Sequence, residues 1–280
     1  MKTWFITGAS RGFGALIAKR ALEVGDNVVA TARNPRTIVD ALGSHPNLLA
    51  LPLDVTSEPQ AREAVTAAVN RFGRIDVLLN NAGFGLLGAV EEATGEEVER
   101  LYRTNVFGLL SVTRAVLPQM RRQRSGHVLN MSSVGGYHGS VGFGVYSSTK
   151  FAVEGLSEAL AGELSPLGIK VTIVEPGYFR TDFLDSQSLT VSPMRIDDYA
   201  GTVGSTRERA KSVNHNQPGD PVKLAAAIVD LAGNPEAPIR MPFGSDTVAA
   251  IEAKNAFVAS EVAKWRSVSV STDFGAPAQS

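Results

Sequence analysis

Short apolar runs alternate with longer stretches of helical period along most of this chain. Trp4 to Thr7, Val28 to Thr31, Leu48 to Leu53, Val77 to Leu79, His127 to Met131 and Ile169 to Val174 have the length and apolar character of buried strands. Between them, Phe13 to Val24 is amphipathic at helical spacing and stops at Gly25, a C′ residue that can take positive φ. Pro59 to Phe72 carries the N-terminal proline and closing Gly73 of a helix. Thr94 is an N-cap, with Glu96 and Glu97 in the first turn, for a long helix reaching about Arg122. Tyr146 to about Leu164 reads as another helix. Strands alternating with helices predict an α/β fold, a doubly wound parallel sheet with helices on both faces.

Regularity lapses from Tyr178 to Pro218, which is polar and broken by Pro193, Gly201 and Gly204. Connections of this length inside compact domains are functional or disordered, so residues 178–218 are expected to form a substrate lid with one or two short helices. Asp220 to Leu231 is a further helix, Ile239 to Phe243 an edge strand and Thr247 to Trp265 a last helix, with a mobile tail over about 267–280. No repeat or linker divides the chain. A single domain over 1–280 is expected.

Composition narrows the function. A net charge of -1 leaves no electrostatic footprint for nucleic acid or an anionic membrane surface. The absence of cysteine removes disulfides, thiolate zinc sites and cysteine nucleophiles together. His45, His127, His138 and His215 are too scattered to suggest a metal site. The apolar run at the N-terminus is too short for a secretory signal, and none approaches the ~20 residues that span a bilayer. A cytoplasmic protein is expected.

The run Thr7-Gly-Ala-Ser-Arg-Gly-Phe-Gly14 joins the first strand to the first helix. Glycines permit a tight turn and close backbone approach, and a helix N-terminus offers free N–H groups to a pyrophosphate. An acidic residue at the end of the second strand would hold the ribose hydroxyls of NAD. Here that strand ends Ala30-Thr-Ala-Arg33. Arg33, with Arg11 from the glycine turn, offers two guanidiniums to a 2′-phosphate, so NADP(H) is favoured over NAD(H). Tyr146 and Lys150 lie one helical turn apart on one face. An ammonium beside a phenol favours phenolate and lowers its pKa, giving a proton donor and acceptor suited to carbonyl reduction or alcohol oxidation. Taken alone, this spacing is common on helices. Ser133 ends an upstream strand, where its hydroxyl could bond a substrate carbonyl, and Ser132 competes for that role.

Taken together, these elements resemble the short-chain dehydrogenase/reductase family over roughly residues 3 to 182. The likeness rests on the glycine turn, Asp54-Val55, Asn80-Asn-Ala-Gly83, Asn105, Ser133, Tyr146-x-x-x-Lys150, and Pro176-Gly177 with Thr181, in the family's order and at its separations. Arg240-Met-Pro-Phe-Gly-Ser-Asp resembles a bacterial branch similar to 17β-hydroxysteroid and retinol dehydrogenases. The resemblance implies a Rossmann-like NADP-dependent oxidoreductase acting on a ketone, aldehyde or secondary alcohol. It implies that Gly8, Ser10, Arg11, Gly12, Phe13 and Gly14 bind the cofactor. Asp54 and Val55 would meet the adenine, Asn81, Ala82 and Gly83 its ribose. Backbone around Phe179, with Pro176, Gly177 and Thr181, would hold the carboxamide. Family spacing favours Ser133 over Ser132, with Tyr146 transferring the proton, Lys150 holding the nicotinamide ribose and Asn105 kinking its helix and holding a relay water. Tyr137, Val141, Phe143, Tyr178, Phe179 and Phe183 are candidates for an apolar substrate pocket, some of them core instead, and His138, which could edge that pocket, reads rather as a loop histidine without chemistry. A homodimer or homotetramer is implied, built on Val98–Gln119 and Phe151–Leu164. Two other functions fit the same fold: an epimerase or dehydratase that retains its nicotinamide, and a sensor that binds NADP without turnover.

Overall fold

The computed structural model describes residues 1–274. In chain order, the first half runs β1 (Thr3–Thr7), α1 (Gly12–Glu23), β2 (Asn27–Ala32), α2 (Arg36–Leu42), β3 (Leu48–Pro52), α3 (Glu58–Phe72), β4 (Val77–Asn80), β5 (Gly85–Leu87), α4 (Gly95–Tyr102) and α5 (Leu109–Gln123). The second half runs β6 (Gly126–Met131), α6 (Val134–Tyr137), α7 (Gly144–Leu164), β7 (Ile169–Pro176), β8 (Leu189–Val191), α8 (Ser205–Val213), α9 (Pro221–Leu231), β9 (Arg240–Phe243) and α10 (Ser245–Val270).

Among the described residues the main sheet has seven strands in the order β3-β2-β1-β4-β6-β7-β9, all parallel. Period-two alternation divides each strand between two cores. Trp4 and Ile6 face a cluster with Ile17 and Ala21 of α1 and Ile228 of α9. Phe5, between them, faces Ala64 of α3, Val116 of α5 and Leu164 of α7. With both faces covered, the strands read as continuous apolar runs rather than alternating ones. The chain leaves β1 toward β3 in one direction and continues through β4 in the other, so the strand order reverses between β1 and β4. A crevice opens at the carboxyl ends of the strands at such a point.

Several expectations change. The long helix is interrupted at Arg103–Gly108, a π-helical turn carrying Asn105 between α4 and α5. The last helix runs to Val270 rather than Trp265, because no glycine or proline interrupts it. The expected mobile tail therefore begins inside a helix, and residues 275–280 lie outside the described residues. The lid is more ordered than one or two short helices: its β8 pairs in parallel with β5, and α8 follows. Leu164, expected at a subunit contact, is core, and Leu160 packs against the same cluster. Among the described residues no helix is long and apolar enough to cross a membrane.

Candidate active site

The glycine turn is built by close approach. Gly8 and Gly12 have φ of 66° and 55°, the left-handed region glycine enters without strain. A Cβ on Gly14 would collide with the Gly8 carbonyl oxygen and lie 2.6 Å from Asn81 Nδ2, so α1 can start this close to β1 only with glycine there. Asn81 Nδ2 donates to the carbonyls of Thr7 and Gly8, both at 3.0 Å. Thr7 Oγ1 accepts from the amides of Asn81 and Ala82. The end of β4 thus braces the turn. No side chain caps the N-terminus of α1, and Gly12 has no atom within 4 Å of where a Cβ would stand. This cradle fits a dinucleotide pyrophosphate.

Across the cleft, Ser133 Oγ accepts from the Gly135 amide at 3.1 Å and lines the same wall as the Tyr146 phenol. Ser132 turns away, donating to Glu154. Lys150 Nζ donates to the Met131 carbonyl at 2.8 Å and lies 5.8 Å from the Tyr146 ring centroid. Phe183 of the lid and Phe143 flank that ring at 5.6 and 6.2 Å. Asn105 uses its whole carboxamide: Oδ1 accepts from the Phe84 amide at 3.1 Å, while Nδ2 donates to the Phe84 carbonyl and Thr149 Oγ1.

The expected lowering of the phenol by the lysine is not what this pocket produces. Burial pushes Tyr146 up to about 12, against a smaller pull downward from the Ser133 hydroxyl. Burial also pushes Lys150 down to about 8, with the Glu154 carboxylate opposing. Desolvation of both groups outweighs their proximity.

One cleft of about 700 Å³ joins these parts. Ser133, Tyr146, Lys150 and every proposed cofactor contact except Gly14 line it, from Ser10, Arg11 and Arg33 through Asp54 and Val55 to Pro176, Phe179 and Thr181. Gly14 packs behind the turn, and Asn105 stands behind the wall formed by Gly83 and Phe84. Phe143, Tyr178, Phe179 and Phe183 reach the cleft, whereas Tyr137, His138 and Val141 do not. Tyr137 is drawn outward by a 2.6 Å hydrogen bond to Asn255 of α10. Lid residues with no local signal in the sequence complete the walls. Gln187 reaches Arg11 and Thr190 accepts from Arg100; away from the cleft lining, a buried ion pair joins Arg207 of α8 to Glu92.

A family model described as short chain dehydrogenase matches residues 2–191. The chain belongs to that family. A short-chain dehydrogenase from Streptomyces avermitilis, known from a crystal structure, is 42% identical and superposes with a TM-score of 0.90 over 98% of this chain and 100% of that one. Oxidoreductase BOA17 of Botryotinia fuckeliana is 38% identical over 97% of this chain and 99% of its own length. The 3-ketodihydrosphingosine reductase of Bacteroides thetaiotaomicron is 41% identical over 85% of this chain and 86% of its own. Two structures at 28% identity carry nucleotide: ElxO with NADP (TM-score 0.73, 89% of this chain, 99% of that one) and a Brucella melitensis 3-ketoacyl-(acyl-carrier-protein) reductase with NADH (TM-score 0.72, 86% and 96%). This short-chain dehydrogenase is accordingly an oxidoreductase whose cleft suits a nicotinamide cofactor.

Proposed function

We propose that the protein is an NADP-dependent alcohol dehydrogenase or carbonyl reductase, with Tyr146 as its proton donor and acceptor. The observation that carries this reading is that Ser133, Tyr146 and Lys150 gather in the same cleft as the glycine turn, with the Lys150 ammonium 5.8 Å from the Tyr146 ring centroid. The nicotinamide, when bound, supplies or accepts the hydride. In reduction, the Ser133 hydroxyl bonds the substrate carbonyl and Tyr146 delivers its phenolic proton to the forming alkoxide. Lys150 holds the nicotinamide ribose and keeps positive charge near the oxygen that gives up the proton. Asn105 acts as a positioning residue, fixing Phe84 and Thr149. Arg33, with Arg11, takes the 2′-phosphate that distinguishes NADP from NAD.

The substrate is an apolar ketone, aldehyde or secondary alcohol. Phe84, Phe143, Phe183, Leu184 and Leu189 supply the apolar wall, and the name of the Bacteroides relative also describes a keto-group reductase. The assembly is a homodimer or homotetramer, with exposed Phe107 in the π turn and Phe151 of α7 left to meet a partner.

NADPH consumption measured against a panel of ketones and aldehydes tests the reading. Turnover with apolar ketones is expected. Tight NADPH binding with no turnover would favour a sensor, and inversion of a substrate centre without net NADPH loss would favour an epimerase.

A further inference from the structure

Along α7, Tyr146, Lys150, Glu154 and Glu158 follow one another at intervals of four residues, a single row on one helix face. The reaction uses the first two. The third is buried, and its two carboxylate oxygens point to different elements. Oε1 accepts from the hydroxyl of Ser132, the residue before Ser133, and Oε2 accepts from Nη1 of Arg240 on β9. The same Nη1 donates to Glu175 of β7 at 2.6 Å. Glu175 is fully buried, and its other oxygen has no partner among the described residues. Arg240 Nη2 pairs with the more exposed Glu158, and the guanidinium lies over the Tyr137 ring at 5.3 Å. A Cβ on Gly136 would come within 2.8 Å of Glu154 Oε1, so glycine is required for the α6 backbone to pack on this carboxylate.

Part-exposed Arg240 therefore bridges two buried carboxylates, Glu154 and Glu175, and Glu154 follows the buried Lys150 by one helical turn. The Lys150 ammonium donates a hydrogen bond to a neutral carbonyl, that of Met131. Glu154 is the carboxylate whose charge acts on Lys150. We propose that Glu154, clamped by Arg240 and Ser132, is a positioning residue that keeps Lys150 charged and holds the Ser132–Ser133 turn, and so sets the alkaline limit of the reaction. This rests on the roles given to Tyr146 and Lys150 under Proposed function.

The electrostatics agree with the geometry. Burial lowers Lys150 to about 8 and Glu154 opposes that shift. Burial likewise raises Glu154; Ser132 and Arg240 pull it back, and Glu175 adds to the rise. The groups facing this pair are Tyr146 and Glu158 on α7, Ser132 after β6, Tyr137 on α6, Glu175 on β7, Arg240 on β9 and Asn105 in the π turn. Neutralising Glu154 removes the charge that favours the ammonium, so Lys150 should lose its proton at lower pH.

Lysine side-chain ¹⁵N NMR of the cofactor-free protein, with the Lys150 signal assigned through Lys150→Met, reads this directly. Glu154→Gln should move the Lys150 midpoint down by about one pH unit, and the alkaline limb of kcat/KM should move with it. Glu154→Asp keeps the charge while losing reach to Ser132, so it should restore the midpoint but lower kcat. Glu158→Gln should move neither. If Glu154→Gln does not fold, Glu154→Met carries the same expectation. A Lys150 midpoint unchanged in a folded, charge-neutral variant overturns the proposal. A shifted midpoint in a protein that reduces no carbonyl supports the coupling and refutes the assigned reaction instead.

Discussion

Arg11 and Gln187 join the glycine turn to the lid. Arg11 Nη1 lies 2.6 Å from the Gln187 side-chain oxygen, and Nη2 lies 2.6 Å from its backbone carbonyl. The pair is exposed, so solvent screening holds its worth to about 1 kcal/mol or less. Gln187→Ala should speed amide exchange across residues 185–191 several-fold in the free protein. Exchange there should slow when NADPH and a substrate analogue are both present. Exchange that is slow in every state would make the lid a rigid wall instead of a cover.

In the proposed function, cofactor choice turns on Arg33, which lines the cleft beside Ala32. Arg33→Ala should weaken NADPH binding roughly 10-fold, the loss of a ~1.5–3 kcal/mol charge-assisted contact, and leave NADH nearly unchanged. Titration by cofactor fluorescence checks both. Equal affinity of the wild type for the two cofactors would reject the assignment.

The Tyr146 phenol is held up at about 12 by burial. Ultraviolet difference titration of cofactor-free wild type against Tyr146→Phe should therefore show no phenolate from this residue below about pH 10. Tyr146→Phe should retain at most a few per cent of wild-type turnover while binding NADPH normally. Substantial residual turnover would mean that another group supplies the proton.

Glu92 and Arg207 anchor the lid from below. Burial alone would raise the Glu92 carboxyl, but the Ala89 amide, Arg207 and the Ile196 amide overcome it and hold the group at about 2. A carboxylate with a lowered folded pKa stabilises above its ordinary value of 4.5, and that contribution is lost as pH falls toward about 2. Arg207→Met leaves Glu92 buried and unpaired, which should cost about 3 kcal/mol or more in urea unfolding and open residues 185–213 to proteolysis.

His127 works in the opposite chemical sense. Burial, with Lys170 nearby, lowers it from 6.5 to about 4, so the folded state keeps it neutral. Below 6.5 the unfolded chain gains a proton the folded chain refuses. Stability should therefore fall as pH drops from 6.5 to 4, by an amount on the order of 3 kcal/mol. Urea midpoints measured across that range for wild type and His127→Gln check this, with the variant expected to show the shallower slope.

The strands, the glycine turn and the Tyr146–Lys150 spacing were legible in the chain itself. Each is a local pattern: apolar runs of strand length, glycines where β1 turns into α1, and two residues one helical turn apart. The family's motifs lie in those same segments. What stayed hidden depends on contacts between distant residues. Gly85–Leu87 and Leu189–Val191 form a two-stranded sheet, yet each is too short for periodicity to single out. Ser132 and Ser133 are adjacent and chemically alike; family spacing favours Ser133, but only the fold shows that the Ser132 hydroxyl is taken up by Glu154 while Ser133 meets the Gly135 amide. The phenol's acidity follows the same rule. Sequence places a lysine beside Tyr146, but the packing of Phe143 and Phe183 around the ring decides how much water remains, and desolvation outweighs proximity in the folded protein.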